Sequence, residues 1–307
     1  MPSASYDATS VPRVVLIVNP FATAVDEQRL ALVERVLSAR ADVETRATAA
    51  RGDATRLAQE AARAADAIFV YSGDGGFNEV VNGLGPGAPP LACIPGGGTN
   101  VFPRVLGIPR DPAQAAEQLG DALARGRSRR ISVARVNGRR FLFSAGVGFD
   151  AELVRRAERK RAGGGRPGDA AFAAMVLRLI GDHRGRFDPV LEIDGLGRAA
   201  FLLVAKADPY TYLGSMPVRV APTATFEAGI DVVAPTRVRA WTLPRLLRYA
   251  LTGRGQLDDA SIITAHDLDR IDVRCDRPLP LQADGEDLGD VIEASFEVER
   301  AALSVLV

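Results

Sequence analysis

The order of apolar and polar positions divides the chain into two halves of different character. In the first, short apolar runs alternate with helical patterns. Val14–Val18 is a continuous β-branched run that stops at Asn19-Pro20 and reads as a buried strand. Within Asp26–Ala39, Leu30, Val33 and Leu37 recur at helical spacing. Val43–Thr48 is a second strand candidate, and Asp53–Ala65 sets Ala54, Leu57, Ala58, Ala61 and Ala65 on one helical face. Ile68–Tyr71 is a third buried run, broken by Ser72-Gly73-Asp74-Gly75-Gly76. A helix from Asn78, a strand at Leu91–Ile94 and a helix over Ala113–Arg125 continue the alternation, which predicts a parallel α/β sheet.

The pattern changes near Arg127. Ser132–Val136 and Arg139–Phe143 flank Asn137-Gly138, a pair suited to a type I′ hairpin turn. Leu191–Ile193 and Ala200–Ala205 flank Asp194-Gly195-Leu196-Gly197 and read as a second hairpin. Further strands are expected at Arg270–Asp276, Leu279–Ala283, Ala294–Glu299 and Leu303–Val307. Helices are expected over Ala151–Arg161 and Asp169–Ile180, with a glycine-rich loop at Gly163–Gly165. The expected organisation is an α/β domain over 11–130 and a β-rich domain over 131–295.

Composition narrows the function. The 307 residues suffice for a sizeable core. Lys+Arg and Asp+Glu both number 38, so no overall basic field exists to displace counterions, and nucleic acid is not an expected partner. The only lysines, Lys160 and Lys206, do not follow glycine, so a G-x-x-x-x-G-K-[ST] phosphate loop is absent. His183 and His266 are the only histidines, which excludes histidine-rich metal sites. Cys93 and Cys275 read as reduced, buried thiols. The N-terminal stretch lacks a positive region and an apolar core of the secretory kind. The longest span candidate, Ala170–Ile180, is interrupted by Arg178, so the expectation is a cytoplasmic protein that does not cross a bilayer.

Candidate chemistry sits in the loops after the early strands. Three glycines in Ser72-Gly73-Asp74-Gly75-Gly76, directly after a buried strand, let backbone approach a ligand closely. The following helix points its N–H groups and positive dipole end at that loop, which suits phosphate. Asp74 is a carboxylate placed to hold Mg²⁺ against phosphates. A tight turn with a helix cap is the plainer explanation of one such loop. Pro95-Gly96-Gly97-Gly98-Thr99-Asn100 follows the next strand, however, and Asn19-Pro20 follows the first. In a parallel sheet these loops leave the same carboxyl edge, as a nucleotide site requires.

On these motifs the chain resembles the diacylglycerol kinase catalytic family, which includes bacterial lipid kinases and sphingosine kinases. Asn19-Pro20 is similar to its first nucleotide motif, and Thr48, ahead of Gly52-Asp53-Ala54, resembles its adenine-side threonine. Ser72–Leu84, with Asn78 and Glu79, resembles its G-G-D-G-T-x-N-E-V-V-N-G-L block. Pro95–Pro109, with Gly97, Gly98, Thr99 and Asn100, resembles its second glycine block. Phe143–Asp150 resembles the glycine-rich strand opening the second domain, and Asp284-Gly285-Glu286 the late D-G-E. The resemblance implies an α/β nucleotide domain followed by a β-rich, β-sandwich-like domain, with a C-terminal strand near 296–307 returning to the first. It further implies ATP and Mg²⁺, a lipid substrate at a membrane surface, and Asp284 as the base, oriented by Glu286. From the residues alone Asp284-Gly285 is an ordinary hairpin turn.

Three departures stand out. Gly76 occupies the family's threonine position. Thr99 is displaced by one residue from the family's G-T-x-N spacing. Ala228 in Phe226–Asp231 stands where a metal-associated Asp is usual, leaving Glu227 and Asp231 as replacement ligands or the site absent. Arg155–Asp169, with six basic residues, is a candidate for contact with the inner face of the membrane. Trp241 and Leu243–Leu251 read equally as surface anchor or ordinary packing. An NAD kinase and a nucleotide-binding regulator remain as alternatives. The identity of the lipid and the question of a homodimer stay open.

Overall fold

The computed structural model describes residues 11–162 and 168–307, so the Gly163–Gly165 loop lies outside it. The chain forms two compact units. One runs to Arg130 and includes Leu303–Val307; the other is Ile131–Ala302.

In the first unit the alternating pattern becomes β1 (Arg13–Val18), α1 (Glu27–Ser38), β2 (Asp42–Ala47), α2 (Asp53–Ala61), β3 (Ala67–Ser72), α3 (Asp74–Gly83), β4 (Leu91–Pro95), α4 (Val101–Val105), α5 (Pro112–Ala124) and the start of β5 (Ser128–Val136). β1 pairs in parallel with β2 and β3, and β3 with β4. The chain's last strand joins β4, also in parallel, with Val305 opposite Leu91. Strands covered on both faces need apolar side chains throughout, and Leu16, Ile17, Phe69, Val70 and Ile94 are accordingly buried.

Helix starts are set by side chains. The Asp26 carboxylate accepts the Arg29 N–H at 2.8 Å. Asp111, ahead of Pro112, accepts those of Ala113 and Gln114. The helix expected from Asn78 begins earlier, at Asp74, so the glycine-rich segment is its first turn. Helix propensity alone disfavours Gly75 and Gly76 there; packing of Phe77, Val80 and Val81 in the core overrides it.

The second unit contains the rest of β5, then β6 (Arg139–Phe141), β7 (Ser144–Val147), α6 (Phe149–Ala162), α7 (Asp169–Asp182), β8 (Arg186–Phe187), β9 (Leu191–Ile193), β10 (Gly197–Ala199), β11 (Leu202–Ala205), β12 (Thr211–Leu213), β13 (Met216–Val218), β14 (Ile230–Pro235), β15 (Val238–Arg239), α8 (Leu243–Thr252), β16 (Ile262–Leu268), β17 (Arg270–Ala283) and β18 (Glu286–Leu306), whose end is the strand beside β4. β16, β14, β11, β7, β17 and β18 are neighbours in that order. The Asn137-Gly138 turn has φ 48° and 84°, both positive as type I′ demands. The second hairpin departs from expectation. β9 pairs with β10, and β11 is a separate strand between β7 and β14, because the chain leaves the β9 ladder where the Ala200 N–H bonds to the Pro235 carbonyl. β17 runs unbroken through Pro278, with a register shift between Arg274 and Leu279 absorbing the missing donor. The core is apolar, with Phe141 packed edge-on to Phe296 among Leu202, Ile230 and Leu281. Among the described residues no helix is long and apolar enough to cross a membrane, and both cysteines are free and buried.

Candidate active site

In the first unit the loops leaving β1, β3 and β4 come together through backbone contacts. The Asn19 N–H donates to the Tyr71 carbonyl at 3.0 Å, and the Asn19 side chain accepts the Phe21 N–H, fixing the Asn19-Pro20 turn. The Gly96 N–H donates to the Ser72 carbonyl at 2.7 Å, tying the two glycine loops at their roots. Above that bond Gly73 and Gly97 touch backbone to backbone: a Cβ on Gly97 would stand 2.7 Å from the Gly73 Cα. Only glycine permits this approach.

Two side chains lock the arrangement. Asn100 adopts a left-handed conformation (φ 52°), and its amide both accepts the Gly97 N–H (2.8 Å) and donates to the Gly97 carbonyl (2.7 Å). Asp74, in the first turn of α3, reaches across to the start of α4. Its two oxygens accept the Val101 and Phe102 N–H groups at 3.0 and 3.1 Å. Asp74 thereby ties the first turn of α3 to the start of α4. Gly98 is exposed, and Gly97 and Thr99 are half-buried in the same loop.

The remaining nucleotide candidates divide by role. Thr48 is buried after β2, its N–H bonded to the Val18 carbonyl. Glu79 braces the unit: its carboxylate accepts the Gly52 N–H at 3.0 Å and its carbonyl accepts the Thr55 hydroxyl at 2.9 Å. Asn78 is buried and accepts the Asn82 amide one turn on. The contacts of those residues brace the elements around the loops.

Ser72 and Gly76 have exchanged bulk. A Cβ on Gly76 would overlap the Ser72 hydroxyl and stand 2.7 Å from the Ser72 Cβ. The Ser72 Oγ is buried and has no protein partner. An orphaned hydroxyl costs free energy unless something bonds it. An orphaned hydroxyl beneath the first turn of a helix, beside a backbone cradle that tolerates no Cβ, fits a nucleotide phosphate. The sequence signal for Ser72 was its position; its lack of a partner needed the structure.

In the second unit Asp284-Gly285 forms the two-residue turn of the β17–β18 hairpin, with φ 50° and 78°. The Asp284 carboxylate accepts three N–H groups, from Leu142 (2.7 Å), Phe143 (3.0 Å) and Ser144 (3.2 Å). Backbone at the start of β7 thus helps to set its orientation. Glu286 is ion-paired with Arg139. Beneath the turn lies a network that the sequence did not reveal. Gln282 accepts the Gly285 N–H and donates to Asp150, which also accepts the Tyr210 hydroxyl at 2.7 Å. Burial pushes the Asp150 carboxyl up, against the hydrogen bonds from Tyr210 and Gln282, and the Tyr210 phenol well up.

The structure places the expected metal ligands at 227–231 in different surroundings. Glu227 is exposed, and the Asp231 carboxylate is committed to the Thr223 hydroxyl (2.6 Å), His266 Nδ1 (2.7 Å) and the Asp267 N–H. Among the described residues no group of three His, Cys, Asp or Glu side chains could hold a metal. A buried lysine lies beside this segment. The fully buried Lys206 donates to the Thr225 and Phe226 carbonyls at 3.0 and 2.9 Å. Burial pulls its pKa down to about 8, with Glu227 opposing.

A nucleotide-type α/β unit carrying glycine-loop chemistry, joined to a β-rich unit, is the architecture of the diacylglycerol kinase class. Comparison with known proteins agrees. The diacylglycerol kinase catalytic domain matches residues 13–136, and the YegS C-terminal NAD kinase beta sandwich-like domain matches residues 144–307. The chain belongs to this family. It is 46% identical over 116 residues to the diacylglycerol kinase of Bacillus subtilis, covering 37% of each chain. It is 38% identical over 105 residues to that of Staphylococcus aureus, covering 33% of this chain and 32% of that one. The match thus spans about a third of those relatives. A diacylglycerol kinase structure from Bacillus anthracis superposes with a TM-score of 0.71 at 25% identity, covering 97% of both chains.

Proposed function

We propose that the chain is an ATP-dependent lipid kinase that moves the γ-phosphate of ATP to a lipid hydroxyl, of diacylglycerol or a related lipid. The observation that carries the reading is the bracing of two glycine loops by Asp74 and Asn100. The result is a phosphate cradle made of backbone and helix ends. Phosphoryl transfer asks a protein for positioning and charge stabilisation more than for covalent chemistry.

Each residue then has a task. N–H groups of the first turn of α3 hold phosphate oxygens, and the Ser72 hydroxyl gains the partner it lacks in the protein. Asp74 is the residue that would hold Mg²⁺, which would neutralise charge on the phosphate oxygens. In the transfer the acceptor oxygen forms a bond to the γ-phosphorus while the bridging bond to the β-phosphate breaks. The hydroxyl proton goes to Asp284, whose carboxylate the Leu142, Phe143 and Ser144 N–H groups hold in place.

The test is transfer of labelled phosphate from ATP to a panel of lipids in mixed micelles, with NAD included and Asp74→Asn as control. Label in an organic-extractable product, lost in the variant, is expected. Label in NAD alone, or ATP binding without any transfer, would overturn the reading in favour of an NAD kinase or a regulator.

A further inference from the structure

The stretch 236–257 contains five arginines and no carboxylate, in a chain whose charges balance overall. It includes α8, which has two apolar faces. The inner face is accounted for. Leu243 and Leu246 pack beside Phe187, Phe201 and Val238, and Tyr249 is buried against Tyr210 and Ile262. The outer face is left exposed among the described residues of the unit. Leu247 and Leu251, one turn apart, are 60% and 37% exposed, and Trp241 just ahead of the helix is 77% exposed.

The arginines around this face differ in commitment. Arg237 and Arg239 share Asp188, and Arg245 reaches Asp259. Arg248 lies over the Tyr249 ring at 5.1 Å. Neither Arg248 nor Arg254 makes an ion pair among the described residues. Exposed Trp and Leu beside uncompensated arginine form the pattern of a helix lying in a bilayer interface. By contrast, the basic stretch singled out in the sequence, Arg155–Asp169, lies partly outside the described residues. Its first two arginines are spent internally: Arg155 on Asp287 and Asp290, Arg156 on Glu152 and Asp182.

We infer that the outer face of α8, with Trp241, is the surface by which this protein docks on an anionic lipid bilayer. Trp241 and Leu247 enter the interface while Arg248 and Arg254 meet lipid phosphates. The occupant is a membrane and not a second copy of the chain, because two copies would bring like charges together at the same patch. The inference deepens the lipid-kinase reading by naming how the enzyme reaches its substrate.

The chain holds a single tryptophan, so its fluorescence reports on this patch alone. Vesicles of equimolar phosphatidylglycerol and phosphatidylcholine should shift Trp241 emission to shorter wavelength and shield it from acrylamide. Pure phosphatidylcholine should do so weakly, and added salt should reverse the effect. Leu247→Glu with Leu251→Glu should weaken vesicle partitioning about 100-fold, roughly 2.8 kcal/mol at 1.4 kcal/mol per tenfold. Unchanged melting temperature would show that the variant is folded. No shift with anionic vesicles, or an equal shift with neutral ones, would overturn the inference. So would a blue-shifted emission that grows with protein concentration before lipid is added. The readout needs no catalysis, so it stands apart from the transfer assay: failed docking leaves transfer to micellar lipid intact, and failed transfer leaves docking to be read by fluorescence.

Discussion

Replacing Gly76 by Ala tests whether Ser72 has taken over the space of a missing side chain. On a helix, Gly→Ala gains about 1 kcal/mol of intrinsic stability. Here the new Cβ would lie 2.7 Å from the Ser72 Cβ, against a preferred separation of about 3.5–4.0 Å. Neither partner can rotate away, since both are Cβ atoms fixed to backbone in β3 and α3. Relieving such overlap costs about 1–3 kcal/mol, which offsets or exceeds the propensity gain of about 1 kcal/mol, so Gly76→Ala should destabilise the unit by up to about 2 kcal/mol. With Ser72→Gly in place the obstruction is gone and Gly76→Ala should become neutral or stabilising. The double-mutant cycle should therefore show coupling of about 1–3 kcal/mol. Trp241 lies in the second unit, so hydrogen exchange of β3 and α3 amides under increasing urea is the suitable assay. Additive effects, or a Gly76→Ala protein more stable than wild type, would refute the argument. The same exchange predicts a functional readout: Ser72→Ala should raise the KM for ATP with little effect on melting temperature.

Other substitutions address the rest of the machinery. Asp284→Asn should lower turnover about 10²–10⁴-fold with ATP binding retained; unchanged turnover would remove Asp284 from the role of base. Gly97→Ala forces a Cβ against the Gly73 backbone and should raise the KM for ATP at least about tenfold, read by steady-state kinetics. Lys206 should give a pH signature. Its folded pKa near 8 lies below the free-lysine value, so between about pH 8 and 10.4 the unfolded chain binds more protons and stability rises with pH. Denaturation of wild type and Lys206→Met across that range should show the rise only in wild type; parallel curves would contradict it.

Much of the first unit was legible because its signals are local. Val14–Val18 and Ile68–Tyr71 are unbroken apolar runs that only a doubly covered strand explains, and they lie in β1 and β3. The Asn137-Gly138 hairpin was legible for the same reason, since its turn residues dictate its backbone. β14 and β16 went unread although Val232-Val233 and Ile262-Ile263-Thr264 are β-branched, because the runs are short and their pairing is non-local. Pro278 split one long strand into two, where a register shift keeps it whole. At the candidate site, motif residues such as Asp74 and Asn100 could be named, but their partners could not. That Asp74 caps a helix from the other loop depends on where the chain folds back. Likewise, Ala228 announced a gap in a metal motif, while the buried ammonium of Lys206 beside it is 22 positions earlier in the chain.

β18 also bears on the order of events during synthesis. The strand that completes the nucleotide unit's sheet comes from Leu303–Val307, after the whole second unit has been made. At about 5–20 residues per second, ribosomes need on the order of ten to thirty seconds to make residues 131–302. Throughout that interval β4 presents an unpaired parallel edge, the kind of template on which nascent chains associate. The nucleotide unit should thus be a client of chaperones until its final strand arrives, and an early stop within the second unit should leave it aggregation-prone, even with every glycine loop already translated.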